Sequence, residues 1–383
     1  MENKCERCNQ IIIITKVNLK LYSIMRFSTL SLLRITLILC LGIFAITSCN
    51  TAKEPETEFR GVWLHQTLFD RNETEGKEQI ISLFDRYSEI GINNLFCYYT
   101  LPEENNLDWD FLTFVIDEGK KRDIGIHPVF CPGHEVNLEK AMEEHPGWLI
   151  RKRDGEVYPA YNMALPEVRA YWVSVISKAL EYDIAGIHLD YIRYPVNQMY
   201  SYDSITCDNF SKKYGFTPFE TANDGGSIIW CEWIEWNQEQ VSALVRDIHK
   251  MIKESGKNIL LGVDVFPDPA ESEIEIGQSW ETWASEGIID FACPMLYTDS
   301  VSLFGKYLDK ALTTAGNRCK VYPGIGVRTS HNKATAEVLI DEINITRDKN
   351  TGGVVFFSGY SLTEEMMDSL SKTVFKSLTQ QKN

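Results

Sequence analysis

From residue 59 onward, short apolar runs alternate with longer stretches whose apolar positions recur at helical spacing. The runs at 60–65, 92–98, 124–130, 184–190, 258–265, 288–296, 320–327 and 353–358 read as buried strands. Amphipathic segments near 78–90, 108–122, 166–182, 237–255, 279–286, 302–315, 334–347 and 363–377 read as the helices that follow them. Pro166, with Glu167 beside it, suits a first helical turn, and Gly256 suits a stop after the helix that ends at 255. Eight strand–helix units in one stretch predict an α/β fold, a (β/α)8 TIM barrel spanning 59–378 as a single domain. An open doubly wound sheet usually needs fewer units, and the chain has no Gly-x-Gly-x-x-Gly turn for a dinucleotide.

Two connections are long, 131–165 after strand three and 191–236 after strand four. Both follow strand C-termini, the face on which barrels build their sites, so extended loops there are expected to carry function. They hold His134, Trp148, Tyr158, Tyr161 and Tyr194, side chains that suit the apolar faces of sugar rings. Trp230, Trp233 and Trp236 sit three apart and are expected to pack a helix down instead.

The first residues differ from the rest. Met25-Arg26 and Arg34 precede the apolar run 35–45, which ends in Ile46-Thr47-Ser48-Cys49. A positive start, a short apolar core and small residues before a cleavage point make a secretory signal. The terminal box resembles a bacterial lipoprotein signal, which implies lipidation of Cys49. Residues 1–49 are then an upstream extension plus signal, 50–58 a polar tether, and the barrel is exported and lipid-anchored to the bacterial cell envelope. Of the later cysteines, Cys207 and Cys231 are the pair to test for a bridge. The net charge of −16 argues against nucleic acid as a partner.

Strand parity locates the chemistry. In Gly186-Ile187-His188-Leu189-Asp190, Ile187 and Leu189 face the helices, so Gly186, His188 and Asp190 face the barrel interior, with Asp190 at the wet mouth. In Leu261-Gly262-Val263-Asp264-Val265 the same parity turns Asp264 inward. Two carboxylates at one mouth are the equipment of glycoside hydrolysis. Asp190 is expected to act as nucleophile or electrostatic stabiliser and Asp264 as proton donor. Asp299, Glu135 and Asp268 are alternatives for the second carboxylate. Arg60, Trp63, His65, Tyr98, His134, His188, Arg193, Tyr194, Tyr297 and Asp299 are the expected substrate contacts. No cofactor or metal is called for: the seven histidines contain no i, i+4 pair, and there is no Gly-x-Ser-x-Gly elbow.

Several segments together resemble the bacterial family-10-like glycosyl hydrolases. They are Phe59-Arg60-Gly61-Val62-Trp63-Leu64, His145-Pro146-Gly147-Trp148, Pro166-Glu167-Val168-Arg169, Gly186 through Pro195, Pro294-Met295-Leu296-Tyr297, and 352–358. The resemblance spans roughly 58–375 and implies a (β/α)8 barrel, often on a secreted lipoprotein, with the strand-four aspartate, here Asp190, catalytic. Two positions depart from the pattern: Tyr191 stands where a second Asp is common, and Met295 where Gln is common. The first narrows the carboxylate inventory and the second removes an amide that would contact a sugar hydroxyl. The partner implied is a carbohydrate substrate. A non-catalytic glycan-binding lipoprotein and a metal-dependent polysaccharide deacetylase are the alternatives.

Overall fold

In the computed structural model, the described residues are 57–98, 107, 109–197, 200–220 and 227–375. Cys49, the signal and nearly all of the tether lie outside them. The strands are β1 (Phe59–His65), β2 (Asn94–Tyr98), β3 (Gly125–Phe130), β4 (Leu149–Arg151), β5 (Val157–Tyr161), β6 (Gly186–Leu189), β7 (Leu260–Val265), β8 (Phe291–Pro294), β9 (Lys320–Val321), β10 (Gly324–Gly326) and β11 (Gly353–Phe357). Nine of them form one parallel sheet in the order β10-β11-β1-β2-β3-β6-β7-β8-β9.

The two ends of that order are one strand. Pro323 has no N–H to donate and splits the seventh strand into β9 and β10. Tyr322 N still reaches Ala292 O of β8 (3.0 Å), Leu296 N reaches Gly324 O (3.0 Å), and Val355 N of β11 reaches Pro323 O (3.0 Å). Hydrogen bonds on both sides of the break close the ring, as the eight-unit pattern predicts.

The core has two layers, set by strand parity. Val62, Leu64, Ile187, Leu189, Leu261, Val263 and Val265 join the shell between strands and helices. Phe59, Trp63, Phe96, Val129, Phe291, Cys293, Tyr322 and Val355 fill the barrel. Gly262 makes room there, since a Cβ on it would strike the Phe291 ring and His188 Nδ1.

The long connections have structure of their own. Residues 131–165 carry the helix Leu138–Glu144 and the antiparallel β4–β5 hairpin. Residues 191–236 carry the helix Ser204–Tyr214 and the first turns of the helix Ile228–Glu254. Trp230, Trp233 and Trp236 are buried along that helix, with Trp233 and Trp236 stacked at 5.4 Å, so they pack it down as their spacing predicts. Cys207 is a free thiol, so it forms no bridge with Cys231. Among the described residues no helix is long and apolar enough to cross a membrane.

Candidate active site

A cleft of about 1340 Å³ opens at the C-terminal face of the strands. Asp190 lies at its floor, one residue past β6, and its N–H bonds Phe130 O (3.0 Å) to prolong the pairing with β3. Both carboxylate oxygens are held. Tyr98 donates its hydroxyl to Oδ2 (2.7 Å), and the Tyr191 N–H donates to Oδ1 (2.7 Å). Tyr191 reaches that position with φ +48°, a left-handed conformation costing roughly 1–2 kcal/mol for a residue with a Cβ. Asp190 is only 6% exposed, so its donors hold it in one orientation.

Around it the walls are aromatic. His65 stacks on Tyr98 (4.0 Å, 4°) and Tyr297 on Phe357 (5.3 Å, 16°), and all four line the cleft. Burial lowers the His65 pKa even though Asp190 pulls it up, so the ring is neutral at physiological pH. His134 sits edge-on to the Tyr191 ring (4.5 Å), its Nδ1 3.0 Å from Glu135 O. Glu135 is on the wall, where its Oε1 accepts from Tyr158 (2.6 Å). Arg193 lines the same cleft, its guanidinium carbon 4.5 Å from the Tyr191 ring centre and 4.9 Å from that of Phe266. Gly133 locks these parts together. Its N–H bonds Tyr191 O (2.8 Å), and a Cβ on it would run into the backbone carbonyls of Arg193 and Tyr191.

Asp190, His65, Tyr98, His134, Arg193 and Tyr297 therefore meet in one cleft. Glu135, an alternative for the second carboxylate, lines it too, and the other expected site residues do not. Asp264 faces inward but is 2% exposed beneath the floor. β6 and β7 pair Leu189 with Val263, so the same register sets Asp264 opposite Asp190, and the tilt of barrel strands places such partners at different heights along the axis. Burial first, and the Asp190 charge second, push the Asp264 carboxyl well above the usual range, which favours its neutral form.

His188 is fully buried beside it, Nε2 2.9 Å from Asp264 Oδ1 at angles outside hydrogen-bond geometry. Burial lowers its pKa to about 3, and it is neutral. Trp63 packs in the same layer against Phe96 (5.5 Å). These three support the floor rather than contact a ligand.

Arg60 faces the helices. It pairs with Glu58 (2.7 Å) and lies 4.3 Å over the Phe375 ring, because the parity that turns Trp63 inward turns Arg60 out. Tyr194 is fully buried against Tyr200 (5.1 Å) and reaches Asn162 Oδ1 (3.3 Å). Asp299 spends its carboxylate on the Lys333 N–H (3.1 Å to each oxygen) and staples a loop. Asp268 caps the helix Pro269–Ile276 and pairs with Lys310.

Other cleft residues stand outside the expected set. Cys131 and Phe266 each follow a barrel strand directly, as Asp190 does, so position alone could have flagged them. Tyr191 and Met295, the two departures from the family pattern, also line the cleft. His188, Asp264 and Cys293 bring potential ligand atoms within 4.8 Å of one another. That trio is buried and lies outside the cleft lining.

Comparison with known proteins agrees with this geometry. The chain is 24% identical to the glycosyl hydrolase YngK of Bacillus subtilis (strain 168), over 70% of this chain and 59% of that protein, so it spans about three fifths of that relative's length. Among solved structures it matches the glycoside hydrolase domain of PgaB (BpsB) from Bordetella bronchiseptica with a TM-score of 0.68 at 11% identity, covering 84% of this chain and 100% of that one. A cold-adapted β-galactosidase from Rahnella sp. R3 matches with a TM-score of 0.62 at 12% identity, over 84% and 56% of the two chains. At such identities the structural likenesses establish the fold. The family model for glycosyl hydrolase-like 10 matches residues 98–330, more than half of the sequence, and the chain belongs to that family.

Proposed function

We propose that the protein hydrolyses glycosidic bonds of a poly- or oligosaccharide bound in the cleft, with Asp190 at the reacting centre. The observation that carries this is the grip on Asp190: a carboxylate at the strand-four mouth, oriented by Tyr98 and the Tyr191 N–H, facing an aromatic-walled cleft. A fixed anion beneath the anomeric carbon stabilises an oxocarbenium-like transition state or adds to it as nucleophile. Its two donors hold it on target without reorganisation. They also leave it acceptor capacity, since an ionised carboxylate has about four lone-pair sites.

The leaving oxygen needs a proton. Asp264 lies beneath the floor, so that role passes to Glu135 on the wall. The Tyr158 hydroxyl holds Glu135 in place. Tyr98 and Tyr297, with their stacked partners, form the surfaces on which sugar rings lie. Asp264 and His188, both neutral, keep charge from accumulating under Asp190.

We also propose that Cys49 is acylated after export and tethers the barrel to the cell envelope, on the strength of the Ile46-Thr47-Ser48-Cys49 box and the apolar run before it. Incorporation of labelled palmitate that Cys49→Ala abolishes is the expected result, and labelling unchanged by that substitution would refute it.

The test of the hydrolase proposal is release of reducing ends from a panel of bacterial, plant and host polysaccharides. Asp190→Asn should cut release at least about a hundredfold, as loss of a charge-stabilising group does. If neither protein releases sugar while both bind the same glycan, the chain is a glycan-binding protein on an enzyme's fold.

A further inference from the structure

Arg193 is a cleft cation that forms no ion pair among the described residues. Its guanidinium lines the cleft beside Asp190 yet forms no ion pair with it within 4.0 Å; Asp190 spends its oxygens on Tyr98 and Tyr191. Its single hydrogen bond runs from Nη1 to Tyr194 O at 3.3 Å, a long one, and Nε has no acceptor at all. Two aromatic faces, Tyr191 and Phe266, flank the guanidinium carbon at 4.5 and 4.9 Å and restrict its motion. Holding a cation in a mostly buried position without an anion costs free energy, and water is poorly placed to repay it. A planar fork held between rings, in the same cleft as Asp190 and within reach of its charge, suits a two-oxygen anion carried on the substrate.

We infer that the glycan cleaved here is acidic and that Arg193 receives a carboxylate borne by the sugar next to the scissile bond. This rests on the hydrolase reading above and names the substrate class for the same site. It also gives the overall charge of −16 a consequence: an acidic glycan is repelled by the surface at large, so recognition has to come from a local, buried cation.

The experiment uses the full chain carrying Asp190→Asn, so that ligands bind without turnover. Calorimetry is run with oligogalacturonate, oligomannuronate and glucuronate-containing oligosaccharides, each against its carboxyl-reduced neutral counterpart and a sulfated one. At least one uronate should bind, its reduced form at least about tenfold more weakly, the loss expected when a hydrogen-bonded charge is removed. Arg193→Gln should erase that preference. Arg193→Lys, which keeps the charge but not the fork, should restore only part of it. Because the reduced ligands probe the otherwise unaltered cleft, the answer does not depend on Arg193→Gln folding.

A neutral glycan that binds as well as its uronate, a preference for sulfate, or no uronate binding at all would overturn the inference. The two readings fail separately. Asp190-dependent hydrolysis of a neutral glycan indifferent to Arg193 sinks only the carboxylate. Arg193-dependent uronate binding without hydrolysis by the native chain sinks only the hydrolase.

Discussion

Glu342 offers a measurement that needs no substrate. It lies on the helix Ala336–Asp348, fully buried, and neither of its carboxyl oxygens has a hydrogen-bond partner among the described residues. Burial, then the nearby charges of Asp299 and Asp341, push its pKa up to about 9 from an ordinary 4.5. The folded state therefore keeps a proton that the unfolded chain gives up. That contribution is fully present below about pH 4.5 and is lost as the pH rises toward 9, at about 1.4 kcal/mol per pH unit. Between pH 5 and pH 7 the loss is about 3 kcal/mol, a large part of a typical domain's stability.

Glu342→Gln keeps the shape and removes the titration. Urea unfolding of both proteins at pH 5, 6, 7 and 8 should show the variant gaining on the native chain by about one proton's worth, roughly 1.4 kcal/mol, per pH unit. A buried amide left without partners adds a constant offset of about 1–3 kcal/mol, so the slope rather than the sign is diagnostic. A difference that stays constant across this range would refute the assignment of a neutral, buried Glu342.

Four further outcomes are expected. Tyr98→Phe takes one donor from Asp190 and should lower kcat on the cleaved glycan about ten- to a hundredfold, less than Asp190→Asn does, since a hydrogen bond to a charged group is worth about 1.5–3 kcal/mol; unchanged kcat would mean that the Tyr191 N–H suffices. Asp264→Asn replaces a protonated carboxyl by its neutral isostere, so denaturation should shift little and activity should fall less than about tenfold; a loss near a hundredfold in a folded variant would return Asp264 to the proton-donor role. Gly133→Ala forces a methyl into two carbonyl oxygens and should cost about 2 kcal/mol or more in chemical denaturation, with substrate binding weakened as well. Gly262→Ala overpacks the barrel against Phe291 and His188 and should cost about 1–3 kcal/mol in the same assay, while a neutral result would show that the inner layer yields.

Much of this molecule is legible in its sequence because period-two alternation survives folding. Ile187 and Leu189 point out and His188 and Asp190 in, as read, and the eight-unit pattern gives the barrel. Arg60 was equally legible: alternation from Trp63 turns it outward, onto Glu58 and Phe375. Depth was not legible. Asp190 and Asp264 share parity and register, yet one lines the cleft and the other lies under it, because strand tilt staggers such partners along the barrel axis. Loops carry no period at all, so nothing in the sequence separates Tyr194, buried in packing, from Arg193, one residue earlier and open to the cleft. Glu342 reads as one more polar position on an amphipathic helix, and only the packed neighbours reveal its burial.

The bond from Gly133 to Tyr191 has a bearing on how this scaffold can diversify. Loops on a barrel's mouth are usually treated as separable modules, each exchangeable without disturbing the next. Here the segment bearing Glu135 and the segment bearing Arg193 touch backbone to backbone, at a distance that admits no side chain between them. Grafting either segment alone from another barrel would leave an unmatched seam beside Asp190. In this protein the two loops form one unit, and a change of substrate range is expected to require changes in both together.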